Sequence, residues 1–172
     1  MSGHNKWSKI KRQKAGTDAA KSKIFGKLAR MITIAAKQGK GLEQAKEKAR
    51  EFGMPKENIE RAVKKSSESS AENMEHIIYE SYGPGGSALI IEALTGNRNK
   101  AAQEIKFILG KHGFSLAAPG SAMWAFKKEP ATNDLQPTAT VKITEEESKA
   151  LEKLMDELED NDEIQEVYTN AE

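Results

Sequence analysis

The sequence predicts an α+β protein, in which an N-terminal three-helix domain precedes a ferredoxin-like βαββαβ domain with one extra strand at its start. Apolar residues recur at helical spacing in the N-terminal part and follow a strand-like pattern after residue 72. Between the two patterns, residues 66–70 read Ser-Ser-Glu-Ser-Ser, which is typical of a linker. We therefore expect a basic helical domain over residues 1–68 and an α/β domain over residues 72–172.

Three helices account for the first domain. The first is expected to run from a cap at Asp18 to about Gln38, where Gly39 favours a helix end. The second covers about residues 42–52, and Pro55 suits the first position of the third. The apolar residues that recur on one face of each helix are Ile24, Phe25, Leu28, Ile32 and Ala35, then Leu42, Ala45, Ala49 and Phe52, then Ile59, Ala62 and Val63.

β-Branched and aromatic runs predict the strands of the second domain. The expected strands cover His76–Tyr82, Ser87–Thr95, Ser121–Phe126, Thr138–Ile143 and Ile164–Tyr168. The glycines and proline of 83–86 form a turn between the first two strands, and a proline-containing turn is expected over Glu129–Pro137.

Two helices complete the second domain. One covers Asn99–Lys111, and the other opens at Thr144, where Glu147 three residues later is the signature of a capping box. From Ser87 onward the order is β-α-β-β-α-β, and right-handed crossovers place both helices on one face of the sheet. The other face is either open for a partner or covered by the helical domain.

No sequence pattern in the chain indicates a catalytic site. The absence of cysteine excludes disulfides and Cys-ligated metals, and the three histidines are too scattered for a metal motif. The loop 83–86 lacks a phosphate-binding pattern, and the acidic run 159–163 lacks the glycine and glutamate of a calcium loop. We expect no catalytic residue, no metal and no cofactor. Because the longest strongly apolar run is only residues 88–91, we expect a cytoplasmic protein with no membrane partner.

The net charge of +1 conceals a strong segregation of charge along the chain. Residues 1–65 carry 18 Lys/Arg and 6 Asp/Glu, whereas residues 129–172 carry 3 and 14. Such asymmetry is typical of proteins that bind nucleic acid or carry an acidic tail. The acidic third is either the polar face of the last helix and sheet edge, which we favour, or a segment that competes with nucleic acid for the basic domain.

The basic N-terminal part is the candidate binding site, with a merely solvated surface as the alternative. Residues 1–40 carry 11 Lys/Arg and a single acid, Asp18, and the indole of Trp7 offers a stacking platform among these cations. Lysine outnumbers arginine, which suits contact with the phosphate backbone more than base recognition. If roughly six cations meet phosphates, affinity for duplex DNA should fall with salt at a log–log slope of about −5. The residues expected to contact nucleic acid are His4, Lys6, Trp7, Lys9, Lys11, Arg12, Lys14, Lys21, Lys23, Lys27 and Arg30.

Several motifs make the chain resemble the YebC/PmpR family. They are Gly3-His4-Asn5-Lys6-Trp7, Met54-Pro55-Lys56-Glu57-Asn58-Ile59-Glu60-Arg61-Ala62, Tyr79-Glu80-Ser81-Tyr82-Gly83-Pro84-Gly85-Gly86, Asn97-Arg98-Asn99, Leu158-Glu159-Asp160 and Val167-Tyr168-Thr169-Asn170. Members of that family are usually longer, with a third domain inserted in the second. Here a short turn joins Lys128 to Thr138, so we expect a short member.

The resemblance implies a non-enzymatic regulator of gene expression. Bacterial members are described as DNA-binding transcriptional regulators, and mitochondrial relatives activate translation of cytochrome c oxidase subunit I. Some bacterial members resemble ribosome-associated factors that relieve stalling at proline runs. The implied partners are therefore DNA or rRNA, and the ribosome, and the sequence leaves open which nucleic acid is the target.

Overall fold

The structure, a computed structural model, describes residues 16, 18–67, 74–131 and 134–172. The chain divides into two compact units. The first holds the described residues up to Met74 together with the stretch Glu129–Asp134, and the second holds Glu75–Lys128 and Leu135–Glu172. The combination of helices with an antiparallel sheet confirms the α+β class.

The described part of the first unit contains three helices, namely α1 (Asp18–Gln38), α2 (Leu42–Glu51) and α3 (Lys56–Lys64). They lie where the apolar spacing predicts them, except that Asp18 is the first helical residue of α1, α2 ends one residue early and Pro55 is the N-cap of α3. Gly39 ends α1 with a φ of 71°, a left-handed conformation that glycine adopts without strain. The buried side chains form one cluster of Leu28, Ile32, Ala35, Ala45, Ala49, Met54, Ile59 and Ala62.

Six strands are described in the second unit. In chain order they are β1 (Glu75–Tyr82), β2 (Ala88–Thr95), β3 (Leu116–Ala117), β4 (Phe126–Lys128), β5 (Leu135–Pro137) and β6 (Ile164–Thr169). Four of them form an antiparallel sheet in the order β3-β1-β2-β6, while β4 and β5 pair separately. β2 occupies a central position, and seven of its eight residues are buried, which agrees with its apolar sequence.

Two helices, α4 (Arg98–Lys111) and α5 (Glu145–Asp160), pack on each other and on the sheet. The predicted capping box of α5 is confirmed, because Thr144 Oγ1 accepts from Glu147 N at 3.1 Å and the Glu147 carboxylate accepts from Thr144 N at 2.8 Å. β2, β6 and the two helices supply the largest fully buried apolar side chains of this unit, which are Leu89, Ile90, Ile91, Ile105, Leu109, Leu151, Leu154, Leu158 and Ile164.

The predicted strand over Ser121–Phe126 is wrong for all but its last residue. A turn and a 3-10 helix (Met123–Ala125) precede β4. The cause is a contact distant in sequence: the Glu80 carboxylate accepts hydrogen bonds from the backbone N–H groups of Gly120, Ala122 and Met123, which are then turned inward and do not extend into a ladder.

The predicted strand over Thr138–Ile143 is also wrong. Only Val141 forms an isolated bridge, with Ala171, and the amide of Val141 donates to the Asn170 carbonyl at 3.0 Å. β5 instead lies inside the stretch predicted as a turn, and β3, only two residues long, was not predicted. The ferredoxin-like arrangement is therefore not confirmed, because two of its expected strands do not enter the four-stranded sheet.

Candidate nucleic-acid interface

The sequence-predicted contact residues that the structure describes all lie on α1. The spacings of four and three residues place Lys23, Lys27 and Arg30 along one side of the helix. Lys37, two turns after Arg30, continues that row. Lys21 is exposed but lies on a different side of α1, by helical geometry. The helix thus brings Lys23, Lys27 and Arg30 together and leaves Lys21 apart.

Seven predicted contact residues lie outside the described residues. They are His4, Lys6, Trp7, Lys9, Lys11, Arg12 and Lys14. Their role in binding stays a prediction.

A groove of about 580 Å³ runs between α1 and α3. Three cationic side chains border it, Arg30 from α1 and Arg61 and Lys65 from α3 and the turn after it, and Asn58 adds a polar amide. The remaining lining residues are Phe25, Gly26, Ala29, Thr33, Ile34, Met54, Ala62 and Met74. The groove therefore combines a largely apolar floor with a positively charged border, and no acid is among the described residues that line it.

Thr33 holds the two walls of this groove together. Its hydroxyl lies 2.9 Å from the Ala29 carbonyl of its own helix and 2.8 Å from the Ala62 carbonyl of α3. The residue is buried, with 9% of its surface exposed, so leaving the Ala62 carbonyl without this donor would carry a desolvation cost. The contact joins α3 to α1, whose apolar side chains also share one buried cluster, and Arg61 and Arg30 border the groove between the two helices.

Several acids of the first unit pair with cations of their own helices. Glu43 pairs with Lys46 at 3.5 Å, and Glu47 pairs with Arg50 at 2.9 Å, both three residues apart on α2. On α3, Glu60 lies 3.9 Å from Lys56. Because these carboxylates are engaged away from the groove, its positive border is not neutralised by them.

Sequence reasoning missed Asn58, Arg61 and Lys65 as candidate binding residues. A signal was present, because spacings of three and four residues place them on one side of a helix that begins after Pro55. The groove itself could not be predicted, since it exists only where α3 packs on α1.

Residues of the motif 79–86 make hydrogen bonds that stabilise the second unit. Glu80 accepts from the amides of Gly120, Ala122 and Met123 at 2.7, 2.9 and 2.8 Å. Burial opposes ionisation of this carboxyl, but the three N–H donors outweigh it, and the pKa of Glu80 is lowered from its usual value. The Tyr82 hydroxyl donates to the Ser121 carbonyl and accepts from the Trp124 indole. Glu80 and Tyr82, both on β1, therefore bind the same segment, residues 120–124.

Two of the three glycines of this motif, Gly83 and Gly85, lie in close contact with neighbouring side chains. A Cβ on Gly83 would lie 3.1 Å from a Leu89 methyl group. Gly85 has a φ of +70°, and a Cβ there would lie 2.5 Å from Ile143 Cγ2 and 2.6 Å from a carboxylate oxygen of Glu147. The turn interpretation of this loop is thus supported, because its glycines allow the hairpin to lie against the start of α5.

Both described histidines of the second unit, His76 and His112, lie beside a glutamate. His112 is the C-cap of α4, and its Nε2 lies 3.1 Å from Glu157 Oε1. His76 lies 3.3 Å from Glu92 on the neighbouring strand. Within the described ranges, no three His, Asp or Glu side chains are placed to hold a metal ion. No described helix is long and apolar enough to cross a membrane.

Comparison with known proteins assigns both units to one family. Residues 5–69 match the model of the TACO1/YebC protein N-terminal domain, and residues 74–132 and 129–171 match the model of the TACO1/YebC second and third domain. A probable transcriptional regulatory protein from Fervidobacterium nodosum is 38% identical over 235 positions, covering 99% of this chain and 93% of the relative. One from Thermotoga maritima is 45% identical over 163 positions, covering 90% of this chain and 61% of the relative.

The alignment also shows that this chain is shorter than its Fervidobacterium relative. It spans 235 positions, against 172 residues here, so at least 63 positions of the Fervidobacterium protein have no counterpart. The two matched segments of the second-and-third-domain model meet at residues 129–132, close to the short turn that suggested a missing insertion.

The crystal structure of a conserved hypothetical protein from Aquifex aeolicus has a similar fold. It superposes with a TM-score of 0.73 at 29% sequence identity, covering 90% of this chain and 91% of that one. Family models that match nearly the whole chain, and the Fervidobacterium relative, which aligns over 93% of its length, lead to the same result. The chain belongs to the TACO1/YebC family.

Proposed function

We propose that this protein is a non-enzymatic regulator of gene expression that binds nucleic acid through the cations of its first unit. The observation that carries the proposal is the placement of these cations: Lys23, Lys27 and Arg30 share one side of α1, within a part of the chain that has 18 Lys/Arg and 6 Asp/Glu. A surface with this charge displaces the counterions condensed on a polyanion, which favours binding without base recognition. The relatives' naming as probable transcriptional regulatory proteins supports a role in transcription.

Duplex DNA is the proposed target. Lysine-rich contacts bind phosphates in any duplex, so they would also hold rRNA, and the comparison of the two nucleic acids is part of the test. Localisation in the cytoplasm is part of the same proposal.

The test is a fluorescence anisotropy titration of the full chain with a labelled DNA duplex and a labelled RNA hairpin of equal length. The Lys23→Gln/Lys27→Gln variant should bind about tenfold more weakly, and its log–log salt slope should be less steep by about two, because two phosphate contacts are lost. The matched control is Lys106→Gln/Lys149→Gln, which removes the same charge from exposed positions on α4 and α5.

The outcomes separate the alternatives. Loss of affinity in the α1 variant alone supports the proposal, whereas equal affinities of both variants and the parent would refute it. Tighter binding of the DNA duplex supports a transcriptional role. Tighter binding of the RNA hairpin, with sedimentation of the protein alongside ribosomes, would replace that role by one in translation.

A further inference from the structure

We propose that the outer edge of β1 over residues Glu75–Tyr79, called here the open edge, pairs with the same edge of a second copy of this chain. The four-stranded sheets of the two copies then join into one continuous sheet. This inference concerns the second unit, so it goes beyond the proposed function and does not depend on it.

β3 covers only a small part of one side of β1. β2 pairs with β1 along its whole length, whereas β3 pairs with it only at Glu80 and Ser81. After Ala117 the chain turns away, because the Glu80 carboxylate accepts hydrogen bonds from amides of residues 120–123. Among the described residues, no strand continues past β3 along the open edge.

The backbone groups of two residues point towards the open edge. Gly83 N donates to the Ser87 carbonyl at 2.8 Å, which turns the Gly83 backbone towards β2. In an antiparallel pair the N–H and C=O groups of alternate residues point to opposite sides of the strand. Every second residue before Gly83 therefore also faces β2, while His76 and Ile78 turn their N–H and C=O groups outward.

The far side of β2 leads to the same assignment. Leu94 lies opposite His76 in the register, and its N–H donates to the Glu163 carbonyl at 2.8 Å, on the side of β2 away from β1. The backbone groups of Leu94 and His76 thus point away from each other. Within the part of the chain that the structure describes, no backbone hydrogen bond occupies the outward groups of His76 and Ile78.

Other exposed strands of this unit carry features that oppose edge pairing. β4 has two exposed lysines, Lys127 and Lys128, and β5 contains Pro137, which lacks an N–H. At the opposite edge of the four-stranded sheet, β6 has a register shift in its pairing with β2. Lysine, proline and irregular pairing are the usual means by which proteins block a sheet edge. The open edge contains neither lysine nor proline, and Ile77 and Ile78 stand at its centre, the latter 36% exposed.

A second copy of β1 suits this edge because the strand is complementary to itself when reversed. A pairing centred on Ile77 places His76 of each copy opposite Ile78 of the other, and each such pair exchanges both N–H···O bonds. The isoleucines of the two copies then meet at the centre. Glu75 of each copy lies opposite Tyr79 of the other, so the two carboxylates remain at opposite ends of the pairing. The same surface serves both copies, as in a closed two-fold dimer.

The first measurement is the mass of the full chain by sedimentation equilibrium over a range of concentrations. The parent should approach twice the mass of one chain as the concentration rises. Ile78→Pro removes the outward N–H at a type of edge position where proline is accepted, and Ile78→Lys keeps the N–H but introduces a cation that opposes pairing. Both variants should stay at the mass of one chain. The matched control, Ile78→Val, keeps both the N–H and the β-branched shape and should dimerise as the parent does.

Circular dichroism establishes that each variant retains its fold. If Ile78→Pro does not, the comparison of Ile78→Lys with Ile78→Val decides.

Amide hydrogen exchange of the parent, followed by NMR, identifies the strand that pairs. At low concentration the outward amides of His76 and Ile78 should exchange fast, while those of Ile77 and Tyr79, which face β2, should be protected. Where about nine-tenths of the chains are dimeric, exchange at His76 and Ile78 should slow about tenfold, because it then proceeds through the remaining monomer.

Three results would overturn the inference. The first is the mass of one chain at every concentration, with no change in the exchange of His76 and Ile78. The second is a dimer that persists in both Ile78→Pro and Ile78→Lys, which would place the contact elsewhere. The third is a mass that grows beyond two chains, because a dimer closed through β1 leaves no open edge of β1 for a further copy. None of these results concerns the cations of α1, so the proposed function is tested separately by Lys23→Gln/Lys27→Gln.

Discussion

Replacing Glu80 by glutamine tests a carboxylate of the second unit that accepts three backbone hydrogen bonds. The carboxylate accepts from Gly120, Ala122 and Met123 at 2.7, 2.9 and 2.8 Å. Oε1 receives two of these bonds, so the amide oxygen of glutamine can keep them as neutral bonds. Its NH₂ group then faces the Gly120 N–H, where donor meets donor.

The expected cost follows from these contacts. A hydrogen bond to a charged group contributes about 1.5–3 kcal/mol and a neutral one about 0.5–1.5 kcal/mol. Losing one charged bond and weakening two others gives a cost of at least about 3 kcal/mol in the free energy of opening the segment 118–124. Glu75→Gln is the control, since this exposed residue on the same strand forms a surface pair with Arg98 at 3.2 Å and should change stability by less than about 1 kcal/mol.

The assay is amide hydrogen exchange followed by NMR, because it reports on the segment itself. At neutral pH the amides of residues 120, 122 and 123 should exchange at least about 100-fold faster in Glu80→Gln, as a cost of at least about 3 kcal/mol implies. Unfolding in urea should shift in the same direction. Unchanged protection of these amides in the variant would refute the assignment of Glu80 as the anchor of the segment.

The pH dependence has a defined sign. The pKa of Glu80 is lowered in the folded protein by the three N–H donors, against the opposing effect of burial. The stabilisation is therefore complete above the unfolded pKa near 4.5 and is lost as the pH falls through the lower folded value. The difference in stability between parent and variant should thus be largest near neutral pH and should shrink in acid.

Three further substitutions test local packing and capping, each by urea unfolding followed by circular dichroism. Gly85→Ala should destabilise by about 2 kcal/mol or more, since the new methyl group would meet Ile143 and Glu147 from a backbone with φ of +70°; a neutral effect would contradict the close approach. Thr144→Ala should cost about 1 kcal/mol through loss of the capping box, and no shift of the midpoint would count against it. Thr33→Val preserves shape but removes the donor to the α3 carbonyl, and should cost about 1–2 kcal/mol; stability equal to the parent would show that this bond does not hold the groove walls.

The helices and the central hairpin could be predicted because their signals are local. Apolar spacing located α1, α2 and α3, and Thr144 with Glu147 marked the start of α5. The segment around Ser121 could not be predicted, because its conformation depends on Glu80, some forty residues earlier in the chain. β3, at two residues, is too short to leave a periodic pattern.

The candidate site, like the fold, could be predicted only in part from the sequence. Charge counting identified Lys23, Lys27 and Arg30, and the helical spacing already implied that they share a side of α1. Arg61 and Lys65 were missed because the charged residues of α3, taken alone, indicate only an exposed polar helix. Both residues become candidates because they border the groove between α1 and α3, which Thr33 helps to form. Sequence therefore locates the cations of one helix, and only packing shows which cations of different helices meet.

The salt dependence of nucleic-acid binding by the unmodified full chain tests the central claim most directly. Dissociation constants for a labelled DNA duplex, measured by anisotropy over a series of KCl concentrations, give the number of phosphates that the protein neutralises. If roughly six cations meet phosphates, the log–log slope should be about −5. A slope near zero, or no binding to DNA or RNA even at low salt, would contradict the claim that the basic unit is a nucleic-acid-binding surface.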